Sequence, residues 1–113
     1  MVLGIQELHR LVKEKNLVIN LSERELSNPE GAGFDLRVGE LYEVSGQGLL
    51  GITERETPDM TLIAKYEEGK TTEIQLKPHV YYIFKTIEEV NMPEDLLAIM
   101  TPRSTLFRSG VYV

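Results

Sequence analysis

At Phe34 the apolar residues of this chain begin to recur at every second position, and from there on the sequence falls into short apolar runs at intervals of about 8–12 residues, cut by turn residues such as Gly, Pro and Asn. Phe34, Leu36 and Val38 alternate with Asp35, Arg37 and Gly39, and Leu41, Tyr42 and Val44 follow. Gly46, Gly48 and Gly51 break the alternation, so residues 45–58 read as loop with one short strand. Met60–Tyr66 and Thr71–Leu76 flank Glu67-Glu68-Gly69-Lys70 in the form of a hairpin. Val80–Phe84 reads as a buried or central strand, Leu96–Met100 as another, and Gly110–Val113 as the start of one more. A helical bundle cannot be built from this pattern. It predicts a mainly β fold, a β-barrel or jelly roll.

Only the N-terminus carries a strong helical signal. Ile5, Leu8, Leu11 and Val12 stand at helical spacing, predicting one short amphipathic helix near residues 4–15, with Lys13 and Lys15 in its last turn and Asn16 as its cap. Leu17–Leu21 then reads as a strand and Ser22–Gly33 as a polar loop.

With 113 residues and no internal repeat or linker, the chain is expected to form one domain. The absence of cysteine excludes disulfide scaffolds, Cys-ligated metal and thiol nucleophiles. No apolar run approaches the roughly 20 residues of a membrane span, and the charged N-terminus is unlike a signal peptide. The expected location is the cytoplasm, with no membrane partner. A net charge of −6 argues against a nucleic-acid polymer as partner. The charge is uneven, however: all 18 acids fall within residues 1–95, and residues 96–113 hold two arginines and no acid. A small polyanion fits that end.

Two segments offer chemistry. In Thr101–Gly110, Pro102 stops the preceding strand and Ser104 and Thr105 suit the cap of a helical turn over Leu106–Arg108. Arg103 brings a planar fork matched to phosphate oxygens, and Arg108, four residues after Ser104, falls on the same side of the turn. These residues fit a phosphate-binding corner; they fit equally a capped surface turn with two solvated arginines. In Gly31–Leu36 the glycines lead into a strand whose Phe34 and Leu36 face the core, which turns Asp35 the other way. Asp35 there can orient a metal-bound water, pair with an arginine, or be only the polar half of an alternating strand. His9 is expected to be solvated, His79 to sit in a turn, and Glu88-Glu89 with Glu94-Asp95 to mark a solvated turn. No His pair has metal spacing, and there is no P-loop.

Taken together, Gly31–Leu36 resembles the first motif of the dUTPase family and Thr101–Gly110 its second, the Pro-Arg-Ser segment. The rest resembles the related dCTP deaminases: the opening helix, Leu17-Val18-Ile19, Asn28-Pro29, Asp35-Leu36-Arg37-Val38-Gly39, then Thr86, Glu89 and Pro93, and finally Arg103–Arg108. Ala32-Gly33-Phe34 is spelled as in the dUTPases, and Thr105 replaces the usual Ser or Gly while keeping a hydroxyl.

The resemblance implies a distorted jelly roll of the dUTPase-like type and a homotrimer with active sites shared between subunits. Its substrates would be pyrimidine deoxynucleoside triphosphates, dUTP or dCTP. Arg103, Ser104 and Thr105 would contact phosphates. Arg108 matches the arginine that the deaminase branch places in its site. Asp35 matches the motif-one aspartate, near Mg²⁺ through water in the dUTPases. Both branches carry their catalytic carboxylate beyond the position of Val113, and residues 96–113 supply no acid to replace it. The expectation is therefore a single dUTPase-like domain over residues 1–113, incomplete at its C-terminal side. The AGFD spelling favours a dUTP nucleotidohydrolase forming dUMP and pyrophosphate. A dCTP deaminase or a bifunctional enzyme is the alternative, and a non-catalytic nucleotide-binding or assembly module the second.

Overall fold

The helical spacing at the N-terminus forms α1 (Ile5–Lys15) in the computed structural model, which describes all of residues 1–113. Glu7 in its first turn and Lys13 and Lys15 in its last complement the helix dipole. Asn16 closes it in the left-handed conformation (φ 51°), its N–H reaching the Leu11 carbonyl. The reversal delivers Leu17 beneath the helix. Leu11, Leu17, Val18 and Leu21 form the buried core, and Leu3, Leu8, Val12, Phe34, Leu36 and Leu96 pack against it.

After β1 (Val18–Ile19) the chain forms a second helix, α2 (Glu23–Ser27), where the sequence reading expects loop. Its signal is the Ser22-x-x-Glu25 capping pair: the Ser22 Oγ accepts the Glu25 N–H at 3.3 Å. With no periodic apolar run after it, the pair reads as part of a polar loop. Glu25 is itself buried, and its carbonyl accepts from His9 Nε2 at 2.9 Å.

The main sheet has three antiparallel strands in the order β5 (Asp59–Lys65), β2 (Val38–Ser45), β6 (Tyr82–Thr86). Tyr42 lies between Leu62 and Ile83. Bulges fall at Leu41/Tyr42 against β5 and between Val38 and Glu40 against β6. Gly39 sits at the second: a Cβ there would stand 3.1 Å from the Ile87 backbone nitrogen, so any larger residue would push the Thr86–Glu88 turn away from β2 by a few tenths of an ångström. β3 (Leu49–Leu50) and β4 (Arg55–Glu56) form a small ribbon, and β7 (Glu89–Val90) returns to pair with β1. A third helix, α3 (Ser104–Arg108), lies near the end.

The mainly β architecture is as the period-two pattern predicts, but the three sheets do not close on one another. Several expected strands are absent. Thr71–Leu76 forms no ladder: β5 pairs with β2 alone, and its other edge stays open. The run read as Val80–Phe84 begins two residues later, as an edge strand, with Tyr81 exposed. Leu96–Met100 and Gly110–Val113 find no strand to pair with, and an unpaired extended segment has no ladder to hold it.

The surface is large for the chain. It measures 9582 Å², against about 6,300 Å² for a compact monomer of this mass. The radius of gyration is 16.8 Å, against about 13 Å for a compact domain of this length. Only six residues are buried. Leu97, Ile99, Phe107 and Tyr112 are among the exposed apolar side chains. No helix is long and apolar enough to cross a membrane.

Candidate functional site

Phe34 and Leu36 pack on the core, and the alternation between them turns Asp35 outward, as the sequence predicts. The next residues are locked from behind. Glu88 is buried, its side chain wholly covered. It accepts the Arg37 backbone N–H at 2.9 Å through Oε2 and the Arg37 Nε–H at 2.6 Å through Oε1. The same guanidinium donates through Nη2 to the Asn20 carbonyl at 2.6 Å. The Ile87 N–H returns a bond to the Arg37 carbonyl at 2.9 Å, so backbone bonds and an ion pair fix the segment that carries Asp35. Glu88 is thus not part of a solvated turn. Glu89, the acid matched in the sequence motif, is exposed on β7.

Asp35 faces two arginines. Arg103, the residue preceding α3, places Nη1 3.2 Å from Asp35 Oδ2. Arg24, from α2, places its own Nη1 3.8 Å from the same oxygen and donates through Nη2 to Glu30 Oε1 at 2.9 Å. Asp35 is 40% exposed and Arg103 58%, which leaves the cluster open to a ligand from solvent. The second carboxylate oxygen, Oδ1, makes no hydrogen bond within the chain.

Other site candidates fall differently. Ser104 is the first helical residue rather than the cap, since the turn begins two residues before Leu106; the cap position belongs to Arg103, which makes no side-chain cap bond. The hydroxyls of Ser104 and Thr105 are exposed and make no hydrogen bond within the chain. Arg108 folds back along α3, donating through Nε to the Ser104 carbonyl at 3.3 Å, on the same side of the turn as expected. It therefore stays with its own helix, whereas Arg103 reaches Asp35. His9, expected in solvent, stacks on Phe34 with ring centroids 5.7 Å apart. Phe34 needs cover where the short α1 ends its apolar stripe, and an imidazole supplies a flat face together with a hydrogen-bonding edge. His79 occupies a turn at φ 61°.

No group of three or more His, Asp or Glu side chains gathers in a metal-binding arrangement. Asp35 alone suits a cation that arrives with most of its shell filled by water and phosphate, as Mg²⁺ does. A concavity of about 410 Å³ between β3 and β4 holds none of these residues. On β2, the Tyr42 hydroxyl donates to Glu40, which holds the Glu40 carboxyl below its ordinary range and raises the Tyr42 phenol.

A model of the dCTP deaminase-like family matches residues 2–113. Among curated proteins, a dCTP deaminase, dUMP-forming, of Dictyoglomus turgidum is 30% identical over 116 residues, covering 100% of this chain and 59% of the relative. A probable deoxyuridine 5′-triphosphate nucleotidohydrolase of Methanopyrus kandleri is 35% identical over 85 residues, covering 73% of this chain and 51% of its own. A dCTP deaminase of Pyrococcus horikoshii is 32% identical over 100 residues, covering 88% and 51%. The chain thus spans between half and three-fifths of the length of these relatives. No solved structure matches it significantly.

Proposed function

The chain belongs to the dCTP deaminase-like family, and from that premise we propose that it serves pyrimidine deoxynucleoside triphosphate metabolism as part of a dUTP nucleotidohydrolase-related enzyme, forming dUMP and pyrophosphate from dUTP. One observation carries the reading: Arg103 and Asp35, far apart in the chain and each drawn from a different motif, meet at 3.2 Å on an open surface.

In this proposal the Arg103 fork takes two oxygens of the triphosphate, while the Ser104 and Thr105 hydroxyls donate to others. Arg108, one turn along α3, would exchange the Ser104 carbonyl for the same ligand. A Mg²⁺ ion bound with the triphosphate would neutralise its charge, and Asp35 would hold one of its waters through Oδ1. The part played by these residues is binding and orientation. Residues 96–113 contain no carboxylate to act as general base.

Deamination of dCTP is the second reading. Arg108 favours it, and so does the name dCTP deaminase, dUMP-forming, carried by the Dictyoglomus relative, which joins a deaminase to a dUMP product. A non-catalytic nucleotide-binding or assembly module is the third. In each case we propose a homotrimer, a jelly roll completed by further strand pairing, and a cytoplasmic location where deoxynucleotides are met. The excess surface of the chain supports the assembly.

Incubation of the complete gene product with dUTP and, separately, with dCTP tests the proposal by product identification. Pyrophosphate and dUMP from dUTP support hydrolysis, and ammonia released from dCTP supports the second reading. Consumption of neither, without binding of either, contradicts the assignment.

A further inference from the structure

The motif-derived site contains one arginine that touches Asp35; the structure contains two. The second, Arg24, is not a loosely placed surface residue. Ser22 caps α2 through the Glu25 N–H, buried Glu25 and Leu21 hold the helix against the core, and His9 clamps the Glu25 carbonyl from α1. Arg24 is the residue between these anchors and projects outward. Glu30 Oε1 holds its Nη2 at 2.9 Å, which leaves Nη1 directed at Asp35 Oδ2, 3.8 Å away.

Two guanidiniums from opposite ends of the chain therefore converge on one carboxylate oxygen, at 3.2 Å and 3.8 Å. An arginine pair aimed at a single oxygen is spaced to bridge the oxygens of one phosphate or of two adjacent ones. A carboxylate is the nearest side-chain equivalent of a phosphate: planar, anionic and rich in acceptors. In the unliganded chain, Asp35 fills that role between the two cations, and both guanidiniums remain about half exposed on their outer sides.

We infer that Arg24 is a second polyphosphate-binding residue, forming with Arg103 a two-arginine clamp on the phosphates of the nucleotide. The inference rests on the proposed nucleotide site and adds to it a residue from α2, outside both motifs. Glu30 positions Arg24 and partly neutralises it.

Titration of the full 113-residue chain with inorganic tripolyphosphate, followed by calorimetry, tests the clamp. Arg24→Ala and Arg103→Ala are each expected to weaken binding about tenfold, with Arg24→Lys recovering part of the loss. Circular dichroism separates a binding loss from unfolding. Glu30→Gln, which releases Arg24 without touching the core, is expected to tighten binding, and this arm stands even if Arg24→Ala fails to fold. Unchanged affinity in Arg24→Ala or in Glu30→Gln, alongside a loss in Arg103→Ala, overturns the clamp and leaves the proposed function standing. No tripolyphosphate binding, or binding indifferent to Arg103 as well, overturns both.

Discussion

Arg103 Nη1 and Asp35 Oδ2 stand 3.2 Å apart, joining a residue just before the last helix to one that enters the central strand. Neither side chain is buried, so their attraction alone contributes little to stability. The backbone around each is what holds the pair in place. Phe34 and Leu36 are anchored in the core, Arg37 is tied to buried Glu88, and α3 fixes the direction in which Arg103 leaves the chain. A charge pair positioned by packing in this way can exchange partners without rearranging the fold.

Replacing Asp35 tests that exchange. In Asp35→Asn the carboxylate no longer competes for Arg103 and Arg24, so tripolyphosphate without divalent cation should bind about two- to fivefold more tightly. Any strengthening that Mg²⁺ gives to dUTP binding should shrink in the same variant. Calorimetric titration with and without Mg²⁺ reads both effects.

Glu88 is the acid whose removal the fold should feel most. Glu88→Ala leaves the Arg37 N–H and guanidinium without their acceptor inside the turn, and water reaches the half-exposed arginine better than the amide. A loss of about 2–4 kcal/mol is expected, measured as a lowered urea midpoint. Glu88→Gln, which keeps an acceptor for the amide, should lose less.

The Tyr42–Glu40 hydrogen bond sets a pH dependence. The bond lowers the Glu40 carboxyl below its ordinary 4.5, so its stabilisation is present above that value and is lost as pH falls through the lowered one. The same bond raises the Tyr42 phenol above its ordinary 10.0, so that contribution is present below pH 10.0 and is lost as pH rises through the raised value. Urea midpoints measured across pH should fall at both extremes. Tyr42→Phe should flatten both limbs.

The exposed apolar side chains of residues 97–113 and the surplus surface predict self-association of this chain. Multi-angle light scattering should give a trimer mass. A monomer across the concentration range would contradict the proposed assembly.

What the sequence discloses follows from how locally each feature is determined. α1 and its Asn16 cap are set by residues within one helix, and both are visible in the spacing. The outward turn of Asp35 follows from two-residue alternation and needs no tertiary knowledge. Strand existence is different, since Leu96–Met100 has strand composition but no neighbour to pair with. α2 is hidden because its Ser22–Glu25 cap precedes only one further apolar residue, Leu26. The burial of Glu88 depends on Arg37, which no spacing rule connects to it, and Arg24 escapes notice for the same reason. The candidate site was legible where a motif brings its own residues, and hidden where the fold brings others to it.

The central claim is that the Arg103 corner holds the phosphates of a pyrimidine deoxynucleoside triphosphate. Titrating dUTP with Mg²⁺ into the wild-type chain and into Arg103→Ala tests it most directly. Wild-type binding that weakens by about 1.5–3 kcal/mol in the variant, with an unchanged urea midpoint, is the predicted result. Equal affinity in the two proteins would return Arg103 to an ordinary surface turn and contradict the claim.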